Sequence, residues 1–279
     1  MKKTLTTLGA MALGTTAALA DLEANKQIVI DGMTNAFVRG NTDAVDDYFA
    51  DPYIQHNPLA ASGVDALKGL LSNLPGNPEG SFEPIRIIAE GDLVVTHSVY
   101  ENFGPVPLVA FDVFRIDNGK IVEHWDNMSP VVEQPNPSGR TQIDGETVVT
   151  DLDKTAENKA LVEDFINRVL IKGEQVDFTD YINPEKYLQH NTQAGDGLEG
   201  LGAFLQYLGE NDIAFYYTNL AMVVAEGNFV FAAAEGVFGE QPTAYFDLFR
   251  LEDGRIVEHW DVIADMPSGE LPEGYPGKF

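Results

Sequence analysis

Residues Phe111 to Asp126 read FDVFRIDNGKIVEHWD, and residues Phe246 to Asp261 read FDLFRLEDGRIVEHWD. They differ only by conservative exchanges, at Val113/Leu248, Ile116/Leu251, Asp117/Glu252, Asn118/Asp253 and Lys120/Arg255, so the chain contains an internal repeat. Each copy alternates large apolar residues around Asn118-Gly119 or Asp253-Gly254, dipeptides that supply the positive φ angles of a type I′ hairpin turn. Each copy therefore ends in a strand with a histidine and an aspartate two residues apart, His124/Asp126 and His259/Asp261. Strand alternation turns both members of each couple to one face. Pairing across the two-residue turn sets Val113 opposite His124 and Asp112 opposite Trp125. Asp112 and Asp126 then share a face only if a β-bulge intervenes.

Working outward, Tyr53-Ile-Gln-His-Asn57 is echoed by Tyr187-Leu-Gln-His-Asn191, and Ala89-Glu-Gly91 by Ala225-Glu-Gly227. All three echoes share nearly one displacement, far longer than the roughly 20 to 50 residues of solenoid repeats, so a whole domain is duplicated. The 279 residues divide into a leader (1–20), a first domain (21–129), a linker (130–153), a second domain (154–265) and a tail (266–279). Helical periodicity covers Glu23 to Arg39, the stretch from Thr42 to Phe49, and Val64 to Leu74, with stops at Gly40, Asp51-Pro52 and Pro75-Gly76. Alternation then marks strands at Phe82–Ala89, Leu93–Phe103, Val106–Ile116 and Lys120–Met128, with a turn at Gly104-Pro105. The second copy repeats this order with helices at Ala156–Ile171, Val176–Ile182 and Leu198–Leu208. Its strands are expected at Ile213–Ala225, Phe229–Phe238, Thr243–Leu251 and Arg255–Ala264. Helices followed by a mainly antiparallel sheet make each half an α+β unit.

The first twenty residues read as an export signal: Lys2 and Lys3, an apolar run, then Ala18-Leu19-Ala20 as a small-residue cleavage site before Asp21. The apolar run is shorter than the roughly 20 residues that span a bilayer, so the expectation is an exported protein, periplasmic or secreted, rather than an anchored one. The absence of cysteine excludes thiolate chemistry. A net charge of -27, from 44 acidic and 17 basic residues, repels phosphate backbones and anionic lipid. Nucleic-acid and membrane-surface roles are therefore not expected, and a small molecule is the expected partner.

With its helices, its sheet, the YIQHNP stretch and the GKIVEHWD ending, each half resembles the SnoaL-like polyketide cyclases of the nuclear-transport-factor-two-like superfamily. The resemblance implies two tandem cone-shaped α+β barrels, each with helices packed on a curved antiparallel sheet around a pocket. It also implies a pseudo-dimer within one chain, paired through the outer sheet faces, with the two pockets facing apart. Family members include cyclases, isomerases, dehydratases and epoxide hydrolases, most of them working without metal or organic cofactor. In the cyclases an aspartate on the last strand is the acid/base of an intramolecular aldol reaction, which corresponds to Asp126 and Asp261. A cyclase histidine on the preceding strand falls at Asp112 and Asp247, where this sequence has carboxylates.

Asp126 with His124, and Asp261 with His259, are thus the candidate catalytic couples; the alternative is that they cap the sheet end. A carboxylate in an apolar pocket has its pKa raised by desolvation and can move protons near neutral pH. His56, His97, His190, Asp112 and Asp247 are candidate substrate-binding groups. His56 and His190 alternatively satisfy backbone carbonyls at a corner, and His97 has Ala233 as its counterpart. Asn57 and Asn191 are expected to hold the turn. His56, His97 and His124 lack any short ligand spacing, and no metal site is assigned. Trp125 and Trp260 are expected in a core or interface, and Arg115 and Arg250 as cross-strand partners of Glu123 and Glu258. The resulting expectation is acid/base chemistry of lyase or isomerase type on a small carbonyl compound, with non-catalytic ligand binding as the alternative.

Overall fold

The computed structural model describes residues 21–73, 81–103 and 105–279. The expected signal segment, the end of the third helix at Leu74 to Gly76 and the Gly104 turn lie outside them. In the first domain α1 (21–32) runs on into a π-helical turn at Met33–Val38, and Gly40 follows with φ 59°. Val29, Met33 and Ala36, on the apolar face of this segment, are buried in the domain core. Then come α2 (Ala44–Tyr48), β1 (Phe49–Gln55) and α3 (Val64–Asn73). Four long strands complete the unit: β2 (Ser81–Glu90), β3 (Leu93–Glu101), β4 (Leu108–Asp117) and β5 (Lys120–Pro130).

The second domain repeats the order. It consists of α4 (Thr155–Phe165) with its own π-helical turn at Ile166–Ile171, β6 (Leu188–Gln189) and α5 (Gly197–Glu210). Strands β7 (Phe215–Glu226), β8 (Phe229–Phe238), β9 (Gln241–Glu252) and β10 (Arg255–Asp265) follow. Three local expectations are corrected. β1 runs through Asp51-Pro52 instead of starting after it, and α2 begins at Ala44 with no side-chain cap from Thr42. The expected helix at Val176–Ile182 is reduced to a 3-10 turn at Phe178–Asp180.

The sheets are ordered β1-β5-β4-β3-β2 and β6-β10-β9-β8-β7; in each, the short first strand pairs parallel to the last and the rest are antiparallel. Both hairpin turns have the positive φ pair read from the sequence, 49° and 76° at Asn118-Gly119, 49° and 70° at Asp253-Gly254. Beyond each turn lies a bulge. Arg115 pairs with Glu123 but Ile116 with Ile121, leaving Val122 as the extra residue; Val257 plays the same part in the second hairpin. The bulge shifts the register by one, so Asp112 stands directly opposite Asp126 and Asp247 opposite Asp261.

One face of each sheet packs on its own helices. The other faces meet each other, burying Phe111, Val113 and Trp125 from one half against Phe231, Phe246, Leu248 and Trp260 from the other. This is the pseudo-dimer, and both tryptophans lie in its interface. Two ion pairs tie its edges reciprocally: Lys26 to Glu226 at 2.7 Å and Lys159 to Glu90 at 2.8 Å. The same glutamates accept the backbone N–H groups of Ala89 and Ala225, so the Ala-Glu-Gly echo is the staple between domains.

The segments that follow β5 and β10 also cross over. Thr141 O and Asp144 Oδ1 meet the ring of His190 in the second domain, while Gly277 O and the Tyr275 hydroxyl reach His56 in the first. Each domain's Gln-His-Asn corner is thus held by the chain leaving the other domain. Among the described residues no helix is long and apolar enough to cross a membrane.

Candidate active site

On the helix-covered face of each sheet, the bulge places two aspartates side by side, with a histidine diagonal to the first. His124 Nε2 lies 3.1 Å from Asp112 Oδ1, and His259 Nε2 lies 3.0 Å from Asp247 Oδ1. The strand at the sheet's edge supplies the rest, because Tyr53, Gln55 and Asn57 alternate onto that same face. Asn57 Nδ2 donates to Asp126 Oδ2 at 2.6 Å, and Asn191 Nδ2 to Asp261 Oδ2 at 2.7 Å.

The hydrogen bonds also fix the histidine tautomer. The backbone N–H of Asn57 can only donate, so the Gln55 atom that it meets at 2.9 Å is the carbonyl oxygen Oε1. His124 Nδ1 points at that oxygen from 3.1 Å and must therefore carry a hydrogen. Gln189 and Asn191 impose the same assignment on His259. One proton is then shared between each Nε2 and its aspartate. Burial pushes the Asp112 carboxyl up, against the hydrogen bond and charge of His124. For His259 burial acts downward, but the hydrogen bond to Asp247 and the charges of Asp261 and Asp247 outweigh it and raise the imidazole. Burial thus favours the protonated carboxyl at Asp112, and the neighbouring carboxylates favour the protonated imidazole at His259. A phenol completes each pair: Tyr100 or Tyr217 donates to the second aspartate oxygen at 2.9 Å.

Asp261 lies at the floor of a cavity of about 510 Å³, with walls that include Phe165, Phe204, Phe215, Phe249 and Ile263. Burial, then the charge of Asp247, raises its carboxyl above the usual range, with His259 and Asn191 acting in the opposite direction. Its hydrogen bond from Asn191 occupies Oδ2, which leaves Oδ1 for a ligand. Asn191 also lines the cavity and has a second N–H on Nδ2. The ligand atoms of Asp112, His124 and Asp126 lie within 4.8 Å of one another, as do those of Asp247, His259 and Asp261. That spacing would suit a cation, but each Nε2 is already engaged by its aspartate.

Six of the nine candidate residues picked from sequence are placed in the two clusters. Asp112, His124 and Asp126 come together, as do Asp247, His259 and Asp261; each histidine backs an aspartate instead of pointing free into the cavity. His56, His97 and His190 are corrected as substrate-binding groups, since all three lie on the opposite, interdomain side. His56 stacks on Trp125 with centroids 4.7 Å apart and meets Glu123 Oε1 at 2.9 Å. His190 stacks on Trp260 and meets Glu258 Oε1, also at 2.9 Å. His97 is buried against Phe111, its Nδ1 3.1 Å from Arg86 Nη1. Burial and the Arg86 charge hold its imidazole well below the usual range, so it is neutral and Nδ1 accepts. Arg115 and Arg250 pair with Glu123 and Glu258 as expected, at 2.8 and 2.7 Å.

Sequence reasoning missed Tyr53, Gln55 and Tyr100 in the first domain and Tyr187, Gln189 and Tyr217 in the second, and gave Asn57 only a turn role. Asn57 does hold the turn, accepting from the Leu59 N–H, but its amide nitrogen serves Asp126. The signal was present in the Tyr-x-Gln-His-Asn echo, where strand alternation groups Tyr, Gln and Asn and turns His away.

Residues 30–124 match the SnoaL-like domain model. The first half is a SnoaL-like domain. The second is its tandem copy, by the internal repeat and by the matching sheet order. No curated relative matches the chain. Among solved structures, it is similar to an NTF-2 like protein of unknown function from Burkholderia xenovorans, at 28% identity and a TM-score of 0.35, covering 40% of this chain and 88% of that one. An LEH-like epoxide hydrolase from M. tuberculosis matches at 23% identity and a TM-score of 0.35, over 39% and 85% of the two chains. TsrD from Streptomyces laurentii matches at 20% and 0.34, over 38% and 89%.

Proposed function

We propose that this tandem SnoaL-like protein is a cofactor-independent acid/base catalyst acting on a small, largely apolar carbonyl compound. The observation that carries the reading is Asp261: a half-buried carboxylate with a raised pKa and one oxygen left for a ligand, beneath an apolar cavity of about 510 Å³. In this reading Asp261 Oδ1 takes a proton from the carbon next to the carbonyl. The electron pair of the broken C–H bond moves toward the carbonyl oxygen, where the second N–H of Asn191 can donate. Returning the proton to a carbon conjugated with the enolate gives isomerisation; attack of the carbanion on a second carbonyl carbon breaks that C=O π bond, and Asp261 returns its proton to the resulting alkoxide to give an aldol product. The proton-retaining His259–Asp247 pair keeps a compensating positive charge beside Asp261. Asp126, with Asn57, His124 and Asp112, repeats the same hydrogen-bonded set of side chains in the first domain.

Native mass spectrometry on the chain from Asp21 onward, offered a panel of cyclic ketones, tests this reading. Wild type is expected to retain a ketone and to release converted product; Asp261→Asn is expected to retain it unconverted. Retention with no conversion by wild type would instead favour the non-catalytic binding reading, and retention of nothing would remove both. Export is proposed alongside, from the leader sequence, and intact mass of the protein recovered outside the cytoplasm should begin at Asp21.

A further inference from the structure

The two halves deliver a phenol to the same carboxylate oxygen from different strands. In the first domain it is Tyr100, on β3, that donates to Asp112 Oδ2 at 2.9 Å. In the second it is Tyr217, on β7, that donates to Asp247 Oδ2 at 2.9 Å. β7 is the counterpart of β2, so these tyrosines are not repeat equivalents. Tyr100 pairs across the ladder with Phe82, and Tyr217 pairs with Gly236. The two rungs correspond, because Leu93 and Phe229 open their strands opposite Arg115 and Arg250 respectively. Along one rung, therefore, Phe82 and Tyr100 in the first domain become Tyr217 and Gly236 in the second.

The exchange is compensated in detail. A Cβ on Gly236 would lie 2.3 Å from Tyr216 O and 2.8 Å from a ring carbon of Tyr245, so this rung has no room for a second ring. Tyr245 stacks on Tyr217 at 4.2 Å. Its place in the first domain is taken by Ala110, where the Phe82 and Tyr100 rings lie 5.3 Å apart. Filling the core asks only for an aromatic ring on this rung, and phenylalanine would serve. What both solutions keep is the hydroxyl and its target.

Resting on the acid/base reading, we infer that Tyr100 and Tyr217 are equivalent positioning residues: each phenol holds the outer oxygen of its aspartate so that the inner one stays on the histidine. The groups facing Asp112 are Thr96, Tyr100, His124 and Asp126, and a phenolic O–H stabilises the ionised carboxylate. The histidine then keeps the shared proton.

The test uses the chain from Asp21 onward with ¹⁵N-labelled histidine, which gives five imidazoles to assign. In Tyr100→Phe the His124 Nε2 resonance should move toward its unprotonated position with His259 unchanged, and in Tyr217→Phe the reverse. Carbonyl turnover at the altered site should fall roughly tenfold, the equivalent of one hydrogen bond to a charged group. Tyr100→Gly with Phe82→Tyr rebuilds the second domain's arrangement in the first and should restore the His124 signal, whereas Tyr100→Gly alone should not. Unchanged Nε2 resonances in both phenylalanine variants would overturn the inference, as would a folded relocation variant that fails to restore His124. Tyr217→Phe needs no relocation and decides the matter if Tyr100→Gly does not fold. Shifted imidazole signals without turnover of any carbonyl probe would support the positioning role while counting against the acid/base reading.

Discussion

At the scale of single residues the proposed chemistry rests on Asp261 and His259, and the protonation of His259 makes a claim about stability. His259 holds its proton more tightly in the folded chain than at the ordinary imidazole value of 6.5. Between 6.5 and its folded value, the native state therefore binds more protons than the unfolded chain does. The stabilisation is complete below 6.5 and is lost as the pH rises through the folded value. Thermal unfolding of wild type against His259→Gln across this window should show a steeper decline with pH for wild type; parallel curves would contradict the assignment. At the same scale, Asp261→Asn should lower turnover by about 10² to 10⁴, the usual worth of a positioned general base, while circular dichroism stays native. The histidines show where one-residue reading ran out. His56 and His190 attracted attention as titratable groups, yet alternation along Tyr53-Ile54-Gln55-His56-Asn57 turns them to the far face, where Trp125, Trp260 and the crossing segments hold them.

The β-bulge decides the site at the scale of elements. The hairpin turn, the four long strands and the cross-strand Arg-Glu pairs were legible, because each follows from period, turn dipeptide or charge within one short stretch. The extra residue was not, since Val122 and Val257 look like any other strand valines; their unpaired state comes from register across two strands. Without the bulge Asp112 and Asp126 would sit on opposite faces. Deleting Val257 should therefore either turn Asp261 out of the cavity or move the hairpin's register, and in both cases abolish ketone binding in the second domain. Retained binding by a folded deletion variant, measured by calorimetry, would show that register is set elsewhere. The short strands β1 and β6 were legible only as extended pieces, because their partners lie more than sixty residues away and pair in parallel.

Duplication gives the whole molecule one buried interface, with an Asp-His-Asp cluster on the far face of each sheet and the cavity of about 510 Å³ over the cluster of the second domain. The Ala-Glu-Gly echo was visible as a repeat marker, but its function was not, because Lys26 meets Glu226 across 200 residues of sequence. Both members of this pair are largely buried. Glu226→Ala leaves the Ala89 N–H without its acceptor and Lys26 with only the exposed Glu23 as partner, and should cost about 3 kcal/mol in denaturant unfolding. Phe231→Ala in the interface core should cost a similar amount, about 3–5 kcal/mol. A loss below roughly 1 kcal/mol in both would mean that the domains are stable without each other. Proton abstraction beside a carbonyl is the role proposed for Asp126 and Asp261. Its most direct test is deuterium exchange at that carbon, followed by NMR in heavy water, for a ketone that the wild-type protein retains. Wild type should exchange the carbon, each single aspartate-to-asparagine variant should lose its own domain's share, and Asp126→Asn/Asp261→Asn should fall to the rate of buffer. Exchange by the folded double variant at the wild-type rate would contradict the claim.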